Sequence, residues 1–213
     1  MRKVRVKICG ITNWTDARRA VDAGADFLGF NFCRKSPRYV APGRARQIVR
    51  RLPKGVAAVG VFVNEREEKI LQIARAVGLN YLQLHGDEKP EVASRLARFF
   101  PIIKAARVGN GFHPEQLAKF HRARAFLLDG LKPGLLGGTG KTFDWKIARS
   151  AGPHRRIFVA GGLVPENVAR AIQVARPYAV DICSGVESRP GKKDPEKLDA
   201  LMRAVHSARR GLR

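Results

Sequence analysis

Short apolar runs alternate with amphipathic stretches along the whole chain, divided by Gly, Pro and polar turns. Val4, Val6 and Ile8 alternate with polar residues and lead into Cys9, the pattern of a first strand. Asn13, with Asp16 three residues on, has the character of a helix N-cap. Ala17, Ala20, Val21 and Ala23 then form a helical stripe closed by Gly24, and residues 27–30 make a second apolar run. Pro42 opens the next helix, in which Ala45, Ile48, Val49 and Leu52 fall at i, i+3, i+4 and i+7 before Pro53 stops it. The run 59–63 is too apolar and β-branched for anything but a buried strand. Ile70, Ile73, Ala74 and Val77 repeat the helical spacing, closed by Gly78.

The second half keeps this rhythm. Strands are predicted at 81–84, 102–105, 125–128, 157–160 and 179–182. Between them lie a helix after Pro90 carrying Val92, Leu96 and Phe99, short helices at 114–120 and 144–150, and a helix entered at Pro165. Leu198, Leu201, Met202 and Val205 mark the last helix. Eight strands in strict alternation with about eight helices imply a parallel α/β sheet. Their number and the chain length favour a closed (β/α)8 TIM barrel over an open doubly wound sheet. No linker or shift in composition divides the chain, so residues 1–213 are expected to form a single barrel domain.

Charge changes the picture more than the 45% of hydrophobic residues, which is ordinary for a globular core. Lys and Arg number 41 against 18 Asp and Glu, a formal net charge of +23. Such a balance favours anionic partners: phosphorylated metabolites, nucleic acid or an acidic membrane surface. The cations are spread through nearly every segment. No nucleic-acid-binding motif accompanies them, and the aromatics lie mostly in strands or on helix faces, so no specific nucleic-acid partner is expected. Cys9, Cys33 and Cys183 form neither a disulfide framework nor a zinc spacing, which points to a reducing, cytoplasmic compartment. Met1-Arg2-Lys3 is not followed by a signal-peptide core, and no run approaches the ~18 apolar residues of a membrane span.

In a (β/α)8 barrel, functional groups collect at the C-terminal ends of the strands. Those ends carry Cys9, Arg38, His85, Asp129, Gly161-Gly162, Asp181 and Ser184-Gly185. Glycine turns after strands seven and eight suit a phosphate, which backbone N–H groups can approach closely there. Gly137-Gly138-Thr139-Gly140-Lys141-Thr142 resembles a nucleotide P-loop, but the template requires Gly at 135 and Leu135 stands there. A lid donating N–H groups to a substrate fits this segment better. Asp129 reads either as a turn-capping carboxylate or as a general acid raised by apolar surroundings. His85 reads as a base or as a structural histidine. Arg38 reads as a bidentate carboxylate binder or as one more surface cation. Alternation puts Lys7 on the same side of its strand as Cys9. A Schiff-base role stays open for Lys7 and Lys104. The five histidines show no metal-ligand spacing, so no metal is expected.

Taken in order, several stretches closely resemble the phosphoribosylanthranilate isomerase family. They are Lys7-Ile8-Cys9-Gly10-Ile11-Thr12, Gly60-Val61-Phe62-Val63-Asn64, Leu82-Gln83-Leu84-His85-Gly86 and Leu127-Leu128-Asp129. They continue with the Gly137 to Trp145 segment, Ala160-Gly161-Gly162-Leu163 and Ser184-Gly185-Val186-Glu187. The resemblance implies an aldose–ketose isomerase of tryptophan biosynthesis on a (β/α)8 barrel, monomeric or homodimeric and without a cofactor. Its reaction would be the Amadori rearrangement of N-(5′-phosphoribosyl)anthranilate to 1-(2-carboxyphenylamino)-1-deoxyribulose 5-phosphate. On this resemblance Asp129 matches the general acid, Cys9 the general base and Arg38 the holder of the anthranilate carboxylate. Gly137, Gly138, Gly161, Gly162, Ser184 and Gly185 match the phosphate site. Lys7, His85 and Asp181 are supporting candidates, Asp181 with an orienting role.

The chain departs from the family pattern at three points. Gly130 stands where a hydroxyl residue is common, Cys183 where serine is usual, and the basicity is extreme. Two other readings remain: a different phosphosugar barrel, such as indole-glycerol-phosphate synthase, an epimerase or a dual-substrate sugar isomerase, and a basic nucleic-acid-binding protein.

Overall fold

The computed structural model describes residues 3–109, 111–130, 142–151 and 155–211. Its eight barrel strands are β1 (Arg5–Cys9), β2 (Phe27–Asn31), β3 (Ala57–Phe62), β4 (Tyr81–Leu84), β5 (Ile102–Val108), β6 (Ala125–Gly130), β7 (Ile157–Val159) and β8 (Ala179–Ile182). They pair in sequence order, all in parallel, and β8 closes on β1 with Lys7 opposite Asp181. Strands of a closed parallel barrel are covered on both faces, which is why they read as continuous apolar runs.

Alternation along the strands sorts these residues into two cores. Outward residues such as Val6, Ile8, Leu28, Leu82 and Val180 pack under the helices. Inward residues form a smaller cluster with Phe27, Val59, Ile103, Leu127 and Phe158. Phe27 and Phe158 meet at 5.3 Å between ring centroids and plug the barrel floor. One layer higher the interior turns polar. Lys7, Gln83 and Asp181 are buried there, and above them lies the mouth.

The helices follow their sequence signals at most positions. Asn13 caps α1 (Trp14–Asp22), its side chain accepting the Asp16 N–H at 2.9 Å. Pro42 is the first residue of α2 (Pro42–Val49). α3 (Glu67–Val77) buries Ile70, Ile73, Ala74 and Val77 as predicted. α4 (Pro90–Leu96) ends three residues before Phe99, which is 55% exposed beneath the Arg75 guanidinium instead of on a buried stripe. Residues 114–120 form a 3-10 helix. α5 (Trp145–Ala151) precedes β7, and α6 (Val168–Ala175) begins three residues after Pro165. The turn at Pro165 exists because Asn167 folds back: its side chain accepts from Val164 N–H and donates to the Gly162 carbonyl. A hairpin of Glu187–Arg189 and Lys192–Lys193, absent from the sequence reading, joins β8 to α7 (Pro195–Arg210). Among the described residues no helix is long and apolar enough to cross a membrane.

Lys104 points outward from β5, and this closes the Schiff-base option for it. Its ammonium donates to Glu88 at 2.8 Å and to the carbonyls of Gly86 and Leu84. Glu88 in turn accepts the N–H groups of Asn64 and Gly86, so this buried pair ties down the loop that carries His85. Lys104→Met should strand the Glu88 carboxylate. The expected cost is about 3–5 kcal/mol of unfolding free energy, measurable by urea denaturation. A midpoint equal to wild type would show that the pair contributes nothing.

Candidate active site

Cys9, Asp129, His85, Asp181, Arg38, Cys183, Ser184, Gly161 and Gly162 line one cavity of about 500 Å3 at the C-terminal mouth of the barrel. With Val61 of β3 also in the wall, the lining draws on β1, β2, β3, β4, β6, β7 and β8 or the loops that follow them. Of the expected site residues, Lys7 lies just below this cavity, and Gly137 and Gly138 fall outside the described residues. Gly185 belongs to the short 3-10 helix, Ser184–Val186, that follows β8.

Lys7 is completely buried, and its Nζ donates to Asp181 Oδ2 at 2.8 Å. Burial works against its charge, but the Asp181 carboxylate and the Cys9 sulfur outweigh that and raise its pKa, so it stays an ammonium. Bonded to Asp181 and sealed from the cavity, it is no Schiff-base nucleophile. Burial pushes the Asp181 carboxyl up to about 7; Lys7 opposes this, while Cys9 and Asp129 add to it. Asp181 Oδ1 has no partner among the described residues.

Cys9 sits against Gly29 on β2, where any side chain would put its Cβ 2.7 Å from the sulfur. A hydrogen bond from the Cys183 thiol, with Lys7 and Lys193 as nearby cations, overcomes burial and holds Cys9 well below the usual thiol range. That same hydrogen bond, reinforced by burial, pushes Cys183 well above it. Of the two sulfurs, Cys9, the one above Lys7, is thus the one biased towards the thiolate. Lys7→Gln removes the nearest cation without enlarging the site. It should raise the pH midpoint for iodoacetamide alkylation of Cys9 by about 1–3 pH units, the usual effect of a charge at this range. An unmoved midpoint would assign the thiolate's stability to Cys183 and Lys193 alone.

Asp129 closes β6 across the mouth and is buried, its Oδ2 at 3.4 Å from His85 Nε2. The other ring nitrogen, Nδ1, lies 2.8 Å from Gln83 Nε2. With the amide nitrogen donating, Nδ1 accepts, and the ring proton sits on Nε2, facing Asp129. Gly161 backs the acid: its φ is +82°, and a Cβ there would meet Asp129 Oδ1 at 2.7 Å and Gly130 N at 2.5 Å. Gly162 follows at φ +63°. Two successive left-handed residues turn the chain so that their N–H groups face the mouth's rim, and neither has an acceptor among the described residues. At the start of the Ser184–Val186 turn, the Ser184 and Gly185 N–H groups likewise have no acceptor among the described residues.

Arg38 does not stand free. Its Nε and Nη2 clasp Glu187 at 3.0 and 2.7 Å, and Lys193 reaches the same carboxylate at 3.0 Å. Burial tends to raise Glu187, but Arg38 and Lys193 hold it below the ordinary carboxylate value. This clamp fixes the guanidinium at the cavity edge. Glu187 and Lys193 were not among the expected site residues. Glu187 lay within a quoted motif, Ser184-Gly185-Val186-Glu187, but Lys193 is one cation among 41 and only the hairpin buries it, to 2% exposure.

The chain is similar to known proteins over nearly its whole length. Residues 6–204 match the family model described as N-(5′-phosphoribosyl)anthranilate (PRA) isomerase. An N-(5′-phosphoribosyl)anthranilate isomerase from Pelobacter propionicus is 48% identical over 206 residues, covering 97% of each chain. The phosphoribosyl anthranilate isomerase structure from Thermotoga maritima superimposes with a TM-score of 0.88 at 46% identity, over 96% of this chain and 99% of that one. A relative solved with reduced 1-(o-carboxyphenylamino)-1-deoxyribulose 5-phosphate gives 0.85 at 43% identity, with the same coverage. Matched from β1 through α7, on a barrel whose mouth is lined by Cys9 and Asp129, the chain belongs to the phosphoribosylanthranilate isomerase family.

Proposed function

We propose that Cys9 and Asp129 carry the family's isomerisation as general base and general acid. The phosphate of N-(5′-phosphoribosyl)anthranilate takes the free N–H groups at Gly161-Gly162 and at Ser184-Gly185, with Gly137 and Gly138 completing the set. The anthranilate carboxylate takes the edge of Arg38 that Glu187 leaves open. This leaves the furanose between β1 and β6. Asp129 protonates the ring oxygen, the C1′–O bond breaks, and the nitrogen lone pair forms the iminium. The Cys9 thiolate then removes the C2′ proton and the electrons move into the C1′–C2′ bond, giving an enolamine. Proton return at C1′ and loss of the enol proton give the ketone, with both residues restored. No electrons leave the substrate, so the two proton carriers suffice. Asp181, in the cavity wall, orients a sugar hydroxyl, and Lys7 favours the Cys9 thiolate from beneath.

The single observation that carries this reading is the shared cavity: Cys9 and Asp129 line the same space of about 500 Å3 at one barrel mouth. The test is the loss of substrate fluorescence on adding the purified chain to N-(5′-phosphoribosyl)anthranilate, which should proceed at a rate proportional to protein. Turnover of the related histidine-pathway aminoaldose, with none of the anthranilate compound, would overturn it in favour of another phosphosugar barrel.

A further inference from the structure

Cys9 is the last residue of β1, and Cys183 is the first residue past the neighbouring β8. β1 and β8 run in register from Arg5 opposite Ala179 to Ile8 opposite Ile182, which brings Cys9 and Cys183 to adjacent positions at the end of the ladder. Two residues earlier, Lys7 and Asp181 point into the barrel and meet at 2.8 Å. Cys9, two residues on from Lys7 in the same strand, keeps that inward direction. Both line the mouth cavity, both are free, and neither is sealed from solvent. The Cys183 sulfur leans towards β1: a methyl group on Gly10, next to Cys9, would lie 3.1 Å from it. Strands in a sheet lie about 4.8 Å apart, inside the roughly 4.4–6.8 Å between Cα atoms that a disulfide accepts.

The geometry points to a dithiol modification site: a hydroperoxide oxidises Cys9 and Cys183 to an intramolecular disulfide, which removes Cys9 from the reaction until a dithiol reductant restores it. The loss of activity, though not the bond itself, rests on the role of Cys9 proposed above. In the first step the Cys9 thiolate attacks one peroxide oxygen. A sulfur–oxygen bond forms, the oxygen–oxygen bond breaks, and hydroxide or alkoxide departs. In the second step the Cys183 sulfur attacks the sulfenic sulfur, a sulfur–sulfur bond forms, and the oxygen leaves as water with the Cys183 proton. Two thiols are oxidised and one peroxide is reduced. The order follows from the site: Cys9 lies over the Lys7 ammonium, which favours its thiolate, whereas Cys183 lies within 3.9 Å of the Glu187 carboxylate, which does not. Cys183 thus acts as the resolving thiol, which intercepts the sulfenic acid before a second peroxide carries Cys9 on to the irreversible sulfinic acid. Cys33 lines the same cavity from the loop after β2 and is not across the ladder from Cys9.

The experiment treats the full chain with hydrogen peroxide, blocks remaining thiols with an alkylating reagent and maps the digest by mass spectrometry, alongside the isomerase rate. Wild type should yield a Cys9–Cys183 linked peptide pair with Cys33 alkylated. Its rate should fall at least tenfold and return with dithiothreitol. Cys183→Ser, compared with its own untreated rate, should lose activity that dithiothreitol does not return, with sulfinic acid at Cys9. Cys33→Ser should behave as wild type in linkage and recovery. A Cys9–Cys33 link, sulfinic acid at Cys9 in the wild type, or recovery in Cys183→Ser equal to wild type would overturn the proposal. A linked pair with full isomerase activity would instead remove Cys9 from catalysis and leave the dithiol chemistry standing.

Discussion

Cys9→Ala should lower kcat by about 10²–10⁴-fold, the range for losing a positioned general base, while KM changes little. β1 brings residue 9 to the mouth on the inward face, and Gly29 on the neighbouring strand leaves the space its sulfur occupies, since a Cβ there would lie 2.7 Å from it. Beneath it Lys7 is permanently charged, and beside it Cys183 donates. All of these favour the thiolate. Cys9→Ser keeps the size and the hydrogen bond but has no anion at neutral pH, so it should be nearly as slow as Cys9→Ala. Neither change touches the phosphate turns or the Arg38 clamp, so binding of a reduced product analogue should persist in calorimetry. Either variant turning over within threefold of wild type would remove Cys9 from the base role.

Much of this was legible from the residues alone, because (β/α)8 barrels write their strands as apolar runs and their functional groups just after them. The run 59–63 could only be a buried strand, and it is one to within a residue or two at each end. Period-two alternation put Lys7 on the face of Cys9, which the Lys7–Asp181 bond bears out. What stayed hidden depends on pairing between distant segments. Nothing local tells Lys193 from the other cations; it is set apart by a hairpin that buries it against Glu187. Arg38 reads as a free carboxylate binder until Glu187, 149 residues on, is seen to occupy half of its fork. Pro165 misled about a helix start because a side chain, Asn167, rather than the proline, shapes that turn. Phe99 fits a helical spacing that the chain abandons after Leu96, and an arginine over its ring shields it in place of a core.

Asp129→Asn should be about as costly as the loss of Cys9, again on the order of 10²–10⁴ in kcat, but for a different step. The side chain is wedged between His85 at 3.4 Å and the Gly161 turn, so an isosteric amide fits without moving the backbone. What the amide lacks is a proton it can give up. Ring opening then has no acid, whereas removal of the C2′ proton by Cys9 is untouched. The two variants should therefore separate under isotopic substitution. With deuterium at C2′, Cys9→Ser makes carbon deprotonation slower still and should express a full primary isotope effect on kcat. Asp129→Asn makes ring opening limit the rate, and the isotope effect should collapse towards unity. The opposite assignment, with the effect retained at Asp129→Asn and lost at Cys9→Ser, would exchange the roles of acid and base. An effect equal in both variants would mean that one concerted step needs the thiolate and the carboxyl together, and the shared cavity would then hold both groups to the same moment of the reaction.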